Sequence, residues 1–160
     1  MGLTLLLIIA FIAIVVYIQS SRRNSMLSEG KIVNRDGDFY EKAEIFKLRD
    51  DGIEGVVNQI SRINMDGTAS SFEGNRKTGV FNFTSSHGWR AVFRPRECEE
   101  EGKMCFEFRF THWETYNSIP QGTLQMNQVL TLVERALLEV DPNTRVDSEY
   151  IKTKTKTKFF

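Results

Sequence analysis

The chain has 160 residues, 21 basic and 21 acidic, and twelve of its side chains are phenylalanine. That length suits one domain with a core large enough to need no metal or disulfide staple, and the apolar content excludes disorder by composition. Lys152, Lys154, Lys156 and Lys158 crowd into an acid-free tail, so the rest of the chain is net acidic. A nucleic-acid-binding domain would carry the opposite sign in its folded part, and nucleic acid is not an expected partner.

From Leu3 to Ile18 every residue except Thr4 is apolar or aromatic, and none is charged. A helix over residues 2–18, at about 1.5 Å per residue, reaches about 26 Å and is just long enough for a bilayer core. A cleaved signal peptide would want a basic start and a small-residue cleavage site, whereas Tyr17-Ile18-Gln19-Ser20 offers neither small residue where it is needed. Residues 1–18 are therefore expected to be a single-pass anchor. Arg22, Arg23 and Lys31 follow the span and no Lys or Arg precedes it, which predicts an outer N-terminus and a cytoplasmic C-terminal domain at the cell membrane. Myristoylation at Gly2 is excluded by Leu6 in the position that needs Ser or Thr.

Residues 19–38 are polar, are punctuated by Gly30 and Gly37, and read as a linker. The spacing of Phe39, Ala43 and Phe46 predicts a helix over 39–49, although Ala43, Ile45 and Lys47 could also alternate as a strand. Ile53, Val56, Val57, Ile60 and Ile63 make one apolar stripe, predicting a helix over 51–64 with Asp51 and Glu54 as a capping box and Asp66-Gly67 as its stop. Four strands follow, over 68–73, 78–84, 89–96 and 105–113. In the last hairpin an antiparallel register pairs Phe93 with Phe110 and Arg94 with Arg109, and in the one before it Phe83 with Trp89 and Phe81 with Ala91. A helix over 120–140 carries Met126, Val129, Leu130, Val133, Leu137 and Val140 on one stripe. Ser118 and Gln121 are its expected capping box, and Asp141-Pro142 its end.

These elements predict an α+β fold: a transmembrane helix, then a helix, a four-stranded antiparallel meander and a C-terminal helix packed on one sheet face. The expected organisation is anchor 1–18, linker 19–38, α+β domain 39–145 and basic tail 146–160.

Chemistry is harder to find. Cys98 and Cys105 face each other across the last hairpin, but His112 lies about 23 Å along the strand from Cys105, on the other face, so no zinc or Cys-His site is expected. The two cysteines would be bonded outside the cytoplasm and free inside it. Ser85-Ser86-His87-Gly88 reads as turn chemistry. Asn34, Asp36 and Asp38 lack the glycine position and terminal glutamate of a calcium loop. The Asn82 sequon falls in mid-strand, and no phosphate-binding glycine loop is present. No cofactor is expected.

Two surfaces stand out. The register places Arg90, Arg94, Arg96, Arg109 and Trp113 on the water-facing side of the sheet with one acid, Glu107, an arrangement suited to an anionic partner. The tail, with Lys152, Lys154, Lys156 and Lys158 ahead of Phe159 and Phe160, suits the surface of an anionic membrane. The expectation is a non-enzymatic, membrane-anchored binding or assembly module facing the cytoplasm, with a protein partner or its own copies as ligand. Two alternatives come from other classes: an extracytoplasmic envelope or pilus-like subunit, and a small enzyme built on His87.

Overall fold

The computed structural model describes residues 2–151 and 156–158. The chain divides into two compact units between Asn34 and Arg35. In the first, α1 spans Gly2–Ser28. The helix therefore continues about ten residues past the apolar run, carrying Arg22 and Arg23 in its final turns; Ser25 and Glu29 bond to each other near its end. It is the one described helix long and apolar enough to cross a membrane, a test that a signal sequence also passes.

The second unit begins with a 3-10 turn at Phe39–Glu41 and strand β1 at Lys42–Arg49. Helix α2 (Ile53–Ile60) follows, then strands β2 (Ser70–Asn75), β3 (Val80–Ser85), β4 (Arg90–Arg96) and β5 (Lys103–His112). The short strands β6 (Glu114–Tyr116) and β7 (Ile119–Pro120) lead into α3 (Thr123–Val140), β8 (Arg145–Tyr150) and β9 (Lys156–Lys158). The fold is α+β, with an antiparallel sheet of six strands in the order β2-β3-β4-β5-β1-β8, and β7-β6-β9 forms a second, small sheet.

The helix expected over 39–49 is thus a strand, and it sits second from one edge of the sheet, between β5 and the edge strand β8. Helical spacing misleads here because both faces of β1 are covered. Glu44, Phe46 and Leu48 are buried on one side, Ala43 and Ile45 on the other, so the alternation that marks a half-exposed strand disappears. The expected four strands become six through β1 and β8. Arg145–Tyr150 has all its side chains exposed and carries no apolar pattern to announce it.

The pairings slide by two residues from the expected register. Phe93 faces Phe108 and Arg94 faces Glu107, while Phe81 faces Phe93 and Phe83 faces Ala91. An even slip leaves every side chain on its own face, which is why the division into an aromatic and a polar face still holds. A shift in register between Arg90 and Ala91 then reverses the sides beyond it, leaving His112 opposite Arg90.

Phe46, Phe81, Phe83, Phe93, Phe106, Phe108 and Phe110 all belong to one buried cluster, which also takes Val56, Val57 and Ile60 of α2 and Met126, Val129, Leu130, Val133 and Leu137 of α3. Fully burying each such side chain contributes about 1.5–3 kcal/mol. Neither helix uses its expected capping box. Gly52 and Gly122 are the N-caps, both at positive φ, while Asp51 pairs with Arg49 and the Gln121 side chain bonds the Ile119 carbonyl. At Gly122 a side chain is doubly excluded, since a Cβ would fall 2.8 Å from that of His87.

Candidate functional site

The polar face of the large sheet gathers the arginines singled out above, but not as a cationic patch. Glu107, 8% exposed at its side chain, lies between Arg94 at 3.3 Å and Arg109 at 3.1 Å. The Arg109 Nε, itself buried, is poorly aligned on that carboxylate and makes no hydrogen bond among the described residues, so the contact is chiefly electrostatic. Arg96 binds Glu149 of β8 at 2.9 Å. Lys47 of β1 bridges Glu100 at 2.6 Å and Asp147 at 2.9 Å, and it holds both carboxyls below their usual range. The expected like-charge pair Arg94–Arg109 is replaced by an arginine–glutamate pair in the cross-strand position, the favourable arrangement.

Glu107 of β5 thus serves Arg94 and Arg109 from within the same hairpin, whereas the acid on Arg96, Glu149, comes from β8, which the linear sequence does not bring near it. Arg90 is exposed and makes no ion pair among the described residues. Trp113 does not belong to the face at all: it is 3% exposed, part of the core cluster, with its ring 5.3 Å from that of Tyr40. The register shift near Arg90 and Ala91 turned it inward.

A second polar group is buried on the aromatic side. Arg35 reaches Glu44 of β1 at 2.6 Å, and Glu134 (2.5 Å) and Asn127 (3.2 Å) of α3. Burial pushes the Glu44 carboxyl up despite the guanidinium beside it, and one of its oxygens has no hydrogen-bond partner among the described residues. Charge pairs removed from water act as geometric fasteners more than as net stabilisers. Arg35 thereby locks the first residue of the domain onto both layers, a role that its place in a polar stretch of sequence does not signal.

Cys98 and Cys105 form a disulfide. His87 sits in the β3–β4 turn, where its backbone N–H donates to the Ser85 hydroxyl. Among the described residues no group of three His, Cys, Asp or Glu is placed to hold a metal. An open hollow lies at the start of β2, with Met65, Asp66, Ser70, Ser71, Thr84 and Ser85 among its lining residues.

Of the tail residues, Lys156 and Lys158 lie in β9, which runs parallel to β6 with Lys156 opposite Glu114 and Lys158 opposite Tyr116. Lys152, Lys154, Phe159 and Phe160 lie outside the described residues. The adjoining β6–β7 turn exposes Tyr116 and Ile119.

No protein-family model matches the chain, and no curated protein is similar to it.

Proposed function

We propose that this chain is a single-pass, membrane-tethered module whose α+β domain binds a protein partner or further copies of itself on the cytoplasmic side, rather than transforming a substrate. One observation carries the reading: the apolar stretch of α1 is not buried in the protein, while the domain has an aromatic core of its own. An uncharged apolar helix left unburied is costly in water and stable in lipid, where its backbone is already satisfied. Arg22 and Arg23, just beyond the span, support the cytoplasmic orientation, because basic flanks resist crossing.

The tether is tested by fractionating cells that express the full chain. The expected result is recovery in the high-speed pellet, resistant to alkaline carbonate and released by detergent; recovery in the supernatant overturns it.

The Cys98–Cys105 bond favours a second reading, in which the domain lies outside the cytoplasm as part of an envelope assembly, since disulfides persist in oxidising compartments. The flanking charges act on insertion itself, and the cytoplasmic orientation is preferred for that reason; there the two cysteines are kept as neighbouring thiols, bonding only where an oxidant reaches them. Cys98→Ser and Cys105→Ser with Ser148→Cys on the exposed β8 edge puts one reporter thiol on the domain. An impermeant maleimide should leave it unlabelled in intact cells and label it after lysis; labelling before lysis establishes the outward topology instead.

A further inference from the structure

Among the described residues the six-stranded sheet has two open edges, and they are built differently. On β8 the residues Arg145, Asp147 and Glu149 alternate along one side, with Glu149 and Asp147 engaged by Arg96 and Lys47. Charge of this kind on an edge discourages a further strand. The opposite edge, β2, reads Ser70-Ser71-Phe72-Glu73-Gly74-Asn75. It pairs with β3 in unbroken register, has no bulge, no proline and no lysine, and carries a single charge. Its outer row of backbone N–H and C=O groups has no strand beside it among the described residues. Gly74 keeps the strand close to its neighbour, since a Cβ there would lie 2.0 Å from the Phe81 ring.

We infer that β2 pairs antiparallel with β2 of a second copy of this chain, Phe72 opposite the partner's Phe72, joining two sheets into one; this rests on the reading of α1 as an anchor. Three features select this register. Residues directly opposite share a face, so only registers that set a residue of β2 opposite itself or an even number of places away keep the two aromatic faces on one side. With Phe72 on the axis, the row Phe110–Ala91–Phe83–Phe72 continues into the partner, and the Phe72 ring, already 5.3 Å from that of Phe83, gains a neighbour. Ser71 then lies opposite the partner's Glu73, a hydroxyl donor against a carboxylate. Moving the axis one residue to Glu73 instead sets two carboxylates against each other, which is unfavourable.

The occupant follows from size and tethering. One six-residue strand pair buries less than the roughly 1,000 Å² that stable association of free proteins requires. Two copies held in the same bilayer meet at a raised effective concentration, which makes a small, self-complementary edge sufficient. A freely diffusing partner has no such help.

The register is read by cysteine cross-linking of full-length chains in membranes, in a Cys98→Ser, Cys105→Ser background. One chain carries Ser71→Cys and a second, differently tagged, carries Glu73→Cys. Opposed Cα atoms in an antiparallel pair lie about 4.5–5.5 Å apart, inside the window a disulfide spans. Mild oxidation should give a mixed-tag dimer when both are present and none when either is expressed alone. Membrane-bound chains that give no mixed dimer, or that cross-link equally through Ser148→Cys on the β8 edge, overturn the inference. Recovery of the chain in the soluble fraction overturns the tether instead, so the two failures are distinct. If the serine background does not fold, a photo-reactive residue at Phe72 in the otherwise native chain serves the same purpose. It should yield an adduct of twice the chain's mass, and an adduct of any other mass shows a different occupant and overturns the second copy.

Discussion

Glu107 shows how one buried carboxylate sets the character of a surface. It sits on the open side of the sheet yet is nearly inaccessible, and both Arg94 and Arg109 turn their guanidinium groups toward it. An ionised group in that position is costly unless its partners stay. Reversing both arginines, Arg94→Glu with Arg109→Glu, is expected to lower domain stability by about 1–3 kcal/mol in urea denaturation. An unchanged midpoint would show that Glu107 does not depend on them. The same dependence means that binding assays on this double variant report folding as much as recognition. Arg90, exposed and outside these ion pairs, is the cleaner position at which to probe an anionic partner.

Among the elements, the junction between α3 and β1 rests on Asp141. As the residue that closes α3, it accepts the backbone N–H of Arg49 at 2.9 Å and that of Asn143 at 2.9 Å. These two donors, Arg49 first, hold its carboxyl below the usual aspartate range. A depressed value in the folded state means that the unfolded chain takes up the proton first as pH falls. The contribution to stability is therefore complete above the unfolded value of about 3.9 and is lost as pH drops through the folded one. Asp141→Asn should be less stable than the native chain at pH 7, with the gap narrowing below about pH 4 in thermal melts. A gap that stays constant with pH would rule out the ionised carboxylate as the cause. This junction ties the end of a helix to a strand 92 residues earlier, and it was legible only as a helix stop at Asp141-Pro142.

At the scale of the whole molecule, the chain brings an apolar helix at one end and a basic segment at the other. β9 sets Lys156 and Lys158 alongside β6, next to a turn that exposes Tyr116 at 55% and Ile119 at 64%. Lysines near an anionic leaflet contribute about 1 kcal/mol each, and a nearby aromatic or aliphatic side chain adds apolar burial at the interface. A fragment of residues 35–160, which retains the whole aromatic core cluster, should co-sediment with vesicles containing about 30% phosphatidylserine and not with pure phosphatidylcholine, with binding falling as salt rises. Replacing the four tail lysines with glutamine should abolish it. Equal sedimentation of the two forms would remove the tail from the membrane surface.

Local order was legible wherever it was written in nearest neighbours. The stripe Met126, Val129, Leu130, Val133 and Leu137 reads as a helix because those side chains share one side at 3.6 residues per turn, and all five are buried. The phenylalanines of β3, β4 and β5 read as one face because strand periodicity is two, so even a register displaced by two residues keeps them together. What the sequence by itself determined, then, is the apolar span, most of the strands and the identity of the aromatic face. Tertiary structure alone decided that residues 42–49 form a strand, that β8 folds back beside it, that Trp113 turns inward, and that Glu149 of the distant β8 neutralises Arg96. Each of these depends on which strands become neighbours. Backbone pairing and charge compensation act across space, and a linear pattern holds no record of which partner will lie opposite.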